Sequence, residues 1–273
     1  LGLVLEWLDS KGGVEGMEQI KHGKAGLLYS VLDESRLFTC PAEPGSRSDM
    51  NVTFRSVSGE LDATFVKEAA EAGSSWGQCN YGFCLYQGIG VEMDDGEAVQ
   101  WFRKAAEQGS ARAHFLLGEC HEYGYGVERD MDEAFRLYEI GHRGGYAAST
   151  CSLGLCYELG RGTAEDKAKA RDLYEQAAKR GNARAQCNLG FFYYHGISVE
   201  EDDAQAAQWF ARAAEQGYPR AEFLLGECYE NGYGVEQDPG EAVRLYTRSD
   251  KGGHSDGTCS LGECYAAGMG VPK

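Results

Sequence analysis

The sequence predicts an all-α solenoid of helix-turn-helix repeats preceded by a small, incomplete α/β segment. Three glycine registers carry that assignment. Glycine recurs every 36 residues at Gly73, Gly109, Gly145, Gly181, Gly217 and Gly253. Two more registers keep the same phase, one at Gly82, Gly118, Gly154, Gly190, Gly226 and Gly262, the other at Gly88, Gly124, Gly160, Gly196, Gly232 and Gly268. A fixed period in this range marks stacked units that bury their apolar faces only against their neighbours. The array divides as 73–108, 109–144, 145–180, 181–216, 217–252 and a partial 253–273.

Nothing before Gly73 keeps that phase. Leu1 to Lys11 and Val14 to Ser35 read as helices, Asn51 to Arg55 as a short strand and Glu60 to Ala72 as a helix. Residues 1–72 alone offer few partners to bury Leu3, Trp7, Leu27, Phe54 and Phe65. The helix from Glu60 is therefore expected to dock on the first repeat as a cap, because a terminal repeat needs its open end covered. The chain opens with Leu1 rather than Met and closes at Lys273 just after a loop, and so reads as a fragment open at both ends.

Within a repeat, Ala113, Leu116, Leu117 and Cys120 fall at helical spacing and give a first helix from about Ala111 to Tyr123. Gly124 ends it, since glycine takes the left-handed conformation that a helix C-terminus needs. The second helix starts at Asp94, Asp130, Asp166, Asp202 or Asp238, with Glu97, Glu133, Lys169, Gln205 or Glu241 three residues on. Four of these five pairs read as capping boxes, in which the aspartate accepts a backbone N–H and the Glu or Gln reaches back. Pro239, directly after Asp238, suits the first helical position. The acidic loops lack the alternating ligands, central glycine and terminal glutamate of a calcium loop, so capping explains them. Each second helix then carries Ala98, Ala134, Ala170, Ala206 or Ala242, with Phe102, Tyr138, Tyr174, Phe210 or Tyr246 four residues later. That pattern predicts packed antiparallel helices.

Composition narrows the function classes. A net charge of −17, from 43 acids against 26 bases, argues against nucleic acid, whose phosphates need a basic footprint. No apolar run approaches the ~20 residues that span a bilayer. In the array the cysteines fall in two slots: Cys79, Cys151, Cys187 and Cys259 in one, and Cys84, Cys120, Cys156, Cys228 and Cys264 in the other. Phenylalanine takes these slots at Phe115, Phe223 and Phe192, as expected of core positions. Buried thiols of this kind imply a reducing compartment and a cytoplasmic location.

The stretches AQWFARAAEQGYPRAEFLLGECYENGYGVEQD and AVQWFRKAAEQGSARAHFLLGECHEYGYGVERD resemble the Sel-1-like repeats, relatives of the tetratricopeptide repeats. The likeness covers about Gly73 to Lys273, and it implies a right-handed superhelix of helical hairpins that serves as an adaptor for other proteins. Some secreted relatives staple each repeat with a disulfide. Here the second-helix slots hold alanine, as at Ala106 and Ala178, so that staple is not expected. A longer period also shows, since QCNYGFCLYQGIGVEMDDGEAVQWF returns 108 positions later as QCNLGFFYYHGISVEEDDAQAAQWF. Duplication of a three-repeat block accounts for it.

The segments GLVLEWLDSKGGVEGMEQI, KAGLLYSVLDES, RSDMNVTFR and ELDATFVKEAAEAG resemble the C-terminal part of phosphoserine aminotransferase. Asp49 and Thr53 depart from its usual basic residue and proline. The resemblance implies pyridoxal phosphate as cofactor and a place in serine biosynthesis. The family's Schiff-base lysine, its pyridinium-binding aspartate and its phosphate site lie upstream of the matching region, however, and the repeats replace its arginine motifs downstream. Lys11, Lys21, Lys24 and Lys67 do not stand at the motif position. A Schiff-base mechanism cannot run without its lysine. Transamination is therefore the alternative function, inactive in this chain, and an interaction scaffold is the first reading.

Other chemistry is sparse. His114 and His121 share a helix face beside Cys120, but no four-ligand zinc spacing appears, so no metal, catalytic or cofactor residue is assigned. Two slots on the first helix vary between copies: Phe83 with Tyr86, Glu119 with Glu122, Leu155 with Glu158, Phe191 with Tyr194 and Glu227 with Glu230. Lying three residues apart, they share a face. They predict alternating aromatic and acidic patches that would receive a protein or peptide bearing apolar and basic residues, and neither nucleic acid nor membrane.

Overall fold

The computed structural model describes residues 38–39, 55–56 and 59–270. The helices predicted at Leu1 to Lys11 and Val14 to Ser35 lie outside the described residues, as does most of the strand predicted at Asn51 to Arg55. A two-residue strand β1 (Phe38–Thr39) pairs antiparallel with β2 (Arg55–Ser56), Phe38 opposite Ser56. Twelve helices follow among the described residues. They are α1 (Gly59–Glu71), α2 (Ser75–Gln87), α3 (Asp95–Glu107), α4 (Ala111–Tyr123), α5 (Met131–Arg143) and α6 (Ala147–Leu159). Next come α7 (Lys167–Lys179), α8 (Ala183–Tyr194), α9 (Asp203–Glu215), α10 (Pro219–Asn231), α11 (Pro239–Lys251) and α12 (Ser255–Ala267). Even-numbered helices are the first helices of the repeats and odd-numbered ones the second. The described residues fall into two compact units, one running up to Ala113 and including Tyr125–Glu128, the other comprising His114–Gly124 and the described residues from Arg129 onward.

The three glycine registers serve three different ends. The first, exemplified by Gly109 at φ 84°, turns the chain from a second helix into the next first helix. The third closes the first helix in the left-handed region, as at Gly160 with φ 63°. The second admits a ring: a methyl group at Gly118 would sit 2.5 Å from Tyr138 Cε1, and one at Gly190 would sit 2.7 Å from Phe210 Cε1. Side-chain-free backbone there lets two helices close on an aromatic. Ala98, Phe102, Ala134, Tyr138, Ala170, Tyr174, Ala206 and Phe210 are all fully buried.

The aspartate caps form as expected in all five copies. Asp94 Oδ1 accepts from Glu97 N at 2.8 Å and Asp202 Oδ1 from Gln205 N at 2.8 Å, and Asp130, Asp166 and Asp238 do likewise. The reciprocal half of the capping box is different. Each aspartate N–H donates instead to the preceding first helix, Asp94 to Leu85 O, Asp166 to Tyr157 O and Asp238 to Tyr229 O. With that donor already engaged, the acidic side chains turn elsewhere: Glu97 accepts from Trp101 Nε1 and Glu241 from Arg244.

Helix α1 takes the place of a second helix. Its exit turn donates from Gly73 N to Ala70 O and from Ser74 N to Ala69 O, the pair of bonds that Gly109 and Ser110 make to Ala106 and Ala105. Ala63, Val66 and Ala70 are buried, and a methyl at Gly77 of α2 would meet the Ala69 backbone at 2.6 Å. The predicted docking of this helix on the first repeat is thus seen as backbone-to-backbone contact.

The cysteines are thiols. Eight of the nine described are buried, and Cys259 is exposed. Burial pushes Cys151, Cys156, Cys187 and Cys228 up to about 12. Cys259 departs from the core assignment because α12 has no second helix against that side among the described residues.

Candidate partner-binding face

The two variable slots of the first helices are tied to the interior. Tyr138 donates its hydroxyl to Glu122 Oε2 at 2.7 Å, Tyr174 to Glu158 Oε2 at 2.5 Å and Tyr246 to Glu230 Oε2 at 2.6 Å. Where the second helix carries phenylalanine, at Phe102 and Phe210, the matching first-helix slot holds Tyr86 and Tyr194. The slot therefore follows the presence or absence of a hydroxyl beneath it. Glu122 is only 6 % exposed and also faces Arg161 Nη1 at 3.5 Å. Sequence reasoning treated Glu122, Glu158 and Glu230 as variable surface; the structure gives their carboxylates internal partners, because a buried hydroxyl needs an acceptor. The carboxylates in turn push the tyrosine hydroxyls well above their usual range, after burial as the leading cause at each.

The aromatic patches also carry residues that sequence reasoning missed. In the first unit, Phe83 and Tyr86 lie 6.5 Å apart by ring centroid, and Tyr125 approaches Tyr86 at 5.7 Å. Arg112 donates to Asn80 Oδ1 at 2.9 Å and holds its guanidinium 5.3 Å from the Phe83 ring. The second unit repeats this with Arg220, Asn188 and Phe191, at 3.3 Å and 5.3 Å, and Tyr233 stands 5.8 Å from Tyr194. An arginine plane on a ring face is a cation–π contact. The 108-residue repeat of Asn, Phe and Arg was the available signal, and it gains meaning only once neighbouring helices are placed.

The outer acidic slot behaves differently. Glu119 and Glu227, 108 residues apart, are half-buried. Burial pushes the Glu119 carboxyl up to about 7, with Arg184 opposing and Glu122 adding to the rise. Glu227 is raised by burial and by the charges of Glu230 and Asp256. Leu155, half-buried, takes the same slot between them. A half-desolvated carboxylate beside another acid is a site that favours an incoming cation.

Among the described residues the histidines, cysteines and acids do not gather into a metal-ligand set. His114 is half-buried, and His121 Nδ1 is buried without a hydrogen-bond partner. Lys11, Lys21 and Lys24 lie outside the described residues. Lys67 is half-exposed and reaches Glu71 at 4.0 Å. No described helix is long and apolar enough to cross a membrane.

Comparison with known proteins agrees with this architecture. The family model described as Sel1 repeat matches residues 77–110, 111–143, 147–182, 183–218, 219–254 and 255–273. The crystal structure of a Sel1 repeat protein from Oxalobacter formigenes superposes with a TM-score of 0.68 at 29% identity, covering 80% of this chain and 92% of that one. The protective antigen c5321 of uropathogenic Escherichia coli, which displays the SLR fold, gives 0.63 at 31% identity over 80% of this chain and 46% of its own. A separate 71-residue segment, 26% of the chain, is 48% identical to the phosphoserine aminotransferase of Limosilactobacillus fermentum. The chain spans about a fifth of that enzyme's length.

Proposed function

Because this chain belongs to the Sel1 repeat family, we propose that it works as a protein-interaction scaffold whose first-helix face receives a segment carrying basic and apolar residues. The observation that supports the reading is the pair Glu119 and Glu227, half-buried carboxylates that burial and a neighbouring acid raise, with Arg184 opposing the rise at Glu119. A lysine or arginine from a partner would add positive charge at these carboxylates, while Tyr194 and Tyr233 would take an apolar side chain beside Glu227. Glu122, Glu158 and Glu230 hold the face in shape through their tyrosines, and Arg220 on Phe191 fixes that ring plane.

A random peptide library displayed on phage and selected against the whole chain tests this. Enriched peptides are expected to combine Lys or Arg with an apolar residue and to bind the Glu119→Gln/Glu227→Gln variant at least about tenfold more weakly. Enriched peptides without basic residues, or equal binding to the variant, would sink it.

The 71-residue match supports a second reading, in which a transaminase-derived segment precedes the array and ends at about residue 72. Transamination by this chain would require a lysine that binds pyridoxal phosphate. Mixing the chain with the cofactor gives no aldimine band near ~400 nm if that lysine is missing.

A further inference from the structure

Three first helices carry an arginine as their second residue: Arg112 of α4, Arg184 of α8 and Arg220 of α10. Two of the three are held by the preceding first helix. Arg112 donates to Asn80 at 2.9 Å and lies 5.3 Å from the Phe83 ring, and Arg220 donates to Asn188 at 3.3 Å and lies 5.3 Å from the Phe191 ring. For Arg184 the corresponding positions are Ser152 and Leu155. The amide that fixes the guanidinium and the ring that carries it are both replaced, and Ser152 is itself 4% exposed.

Arg184 is half-buried, and its charge is felt across the first-helix face. Burial leads the rise at Glu119 and Tyr123 of α4, Cys151 of α6 and Tyr218 just before α10, and Arg184 opposes that rise at all four. A carboxylate tightly paired with a guanidinium is pulled well below its ordinary value. Glu119 is pushed the other way, to about 7, so at neutral pH it carries only part of a charge and leaves Arg184 incompletely balanced. Arginine stays charged throughout, and its donors form a fork that matches a carboxylate.

We propose that Arg184 reads an acid: it receives an Asp or Glu side chain of a partner segment lying along the first helices, beside the basic residue that Glu119 receives. The proposal rests on the reading of this face as a surface for a segment of another protein, and adds a second charge to that segment. Charge complementarity selects the occupant. A carboxylate brings the single negative charge that a guanidinium accepts through two bonds, whereas the second charge of a phosphate would meet Glu119 and Glu122. Arg112 and Arg220 do not share the role, because an amide and a ring already hold them.

Random peptides displayed on phage are selected on the whole chain and, in parallel, on its Arg184→Gln, Arg184→Glu and Arg220→Gln variants, whose helices circular dichroism checks. On the parent and on Arg220→Gln, Asp or Glu is expected at a fixed spacing from Lys or Arg, at least about fivefold above the starting library. Arg184→Gln should lose that acidic position and keep the basic one, and Arg184→Glu should exchange it for a second basic one. An acidic position that survives either Arg184 variant, or that Arg220→Gln abolishes equally, would overturn the proposal. So would displacement of the acidic peptides by inorganic phosphate at the peptide's own concentration, which marks a free-anion site, or a parent chain that dimerises and that Arg184→Gln makes monomeric. Pools with a basic position and no acidic one overturn this proposal alone. Pools with an acidic position and no basic one keep the role of Arg184 and sink that of Glu119, and pools with neither sink both.

Discussion

Tyr138 donates its hydroxyl to Glu122, sixteen residues earlier on the neighbouring helix, at 2.7 Å and out of reach of water. Removing the donor by Tyr138→Phe takes the tyrosine hydroxyl from a 6 % exposed carboxylate that still faces Arg161, and should cost about 1–3 kcal/mol. The double variant Glu122→Tyr/Tyr138→Phe recreates the Tyr86–Phe102 pairing and should recover most of that loss. Urea unfolding of the four proteins in the cycle gives the coupling, and additive losses would refute it.

The ring-bearing glycines predict opposite signs for one substitution. Gly118→Ala places a methyl 2.5 Å from Tyr138 and should lower stability by about 1–3 kcal/mol despite the better helix former. Gly262→Ala meets nothing within 4 Å among the described residues and should raise the stability of α12 in this chain by up to about 1 kcal/mol. Thermal melts of both variants decide it.

Ser198 is the described non-glycine residue with positive φ, at 56°, in a slot held elsewhere by Gly90, Gly126, Gly162, Gly234 and Gly270. A side chain there meets a left-handed backbone, which costs roughly 1–2 kcal/mol. Ser198→Gly should return about 1 kcal/mol, and Gly162→Ser should lose at least as much, because its Cβ would press on the Met131 carbonyl. Chemical denaturation would show both.

Glu119 makes stability depend on pH in the unusual direction for a carboxylate. Its folded value of about 7 exceeds the ordinary 4.5, so the fold binds the proton more tightly than the unfolded chain does. Its penalty is absent below pH 4.5, grows as pH rises, and is complete above about 7. Glu119→Gln should leave stability unchanged near pH ~4 and raise it near pH ~8. The same midpoint at both pH values for variant and parent would refute the assignment.

Much of this was legible beforehand. Helix α4 spans the residues its apolar spacing indicated, and all five aspartate caps form, because both depend on neighbours within one helix turn. The capping-box glutamates were read with the wrong partner, since the aspartate N–H is taken by a carbonyl nine residues back, as with Asp94 and Leu85. Glu122, Glu158 and Glu230 were read as surface because their acceptor role depends on a hydroxyl sixteen residues away.

The sequence by itself determined the repeat period, the helix pairs, the caps and the core slots, since local periodicity and backbone chemistry suffice for these. Only the tertiary structure decided which carboxylates are engaged by tyrosine and which are half-buried without one, and that α1 stands in a second-helix place. Each of those depends on what a neighbouring helix brings within a few ångströms, a quantity that spacing along the chain does not contain.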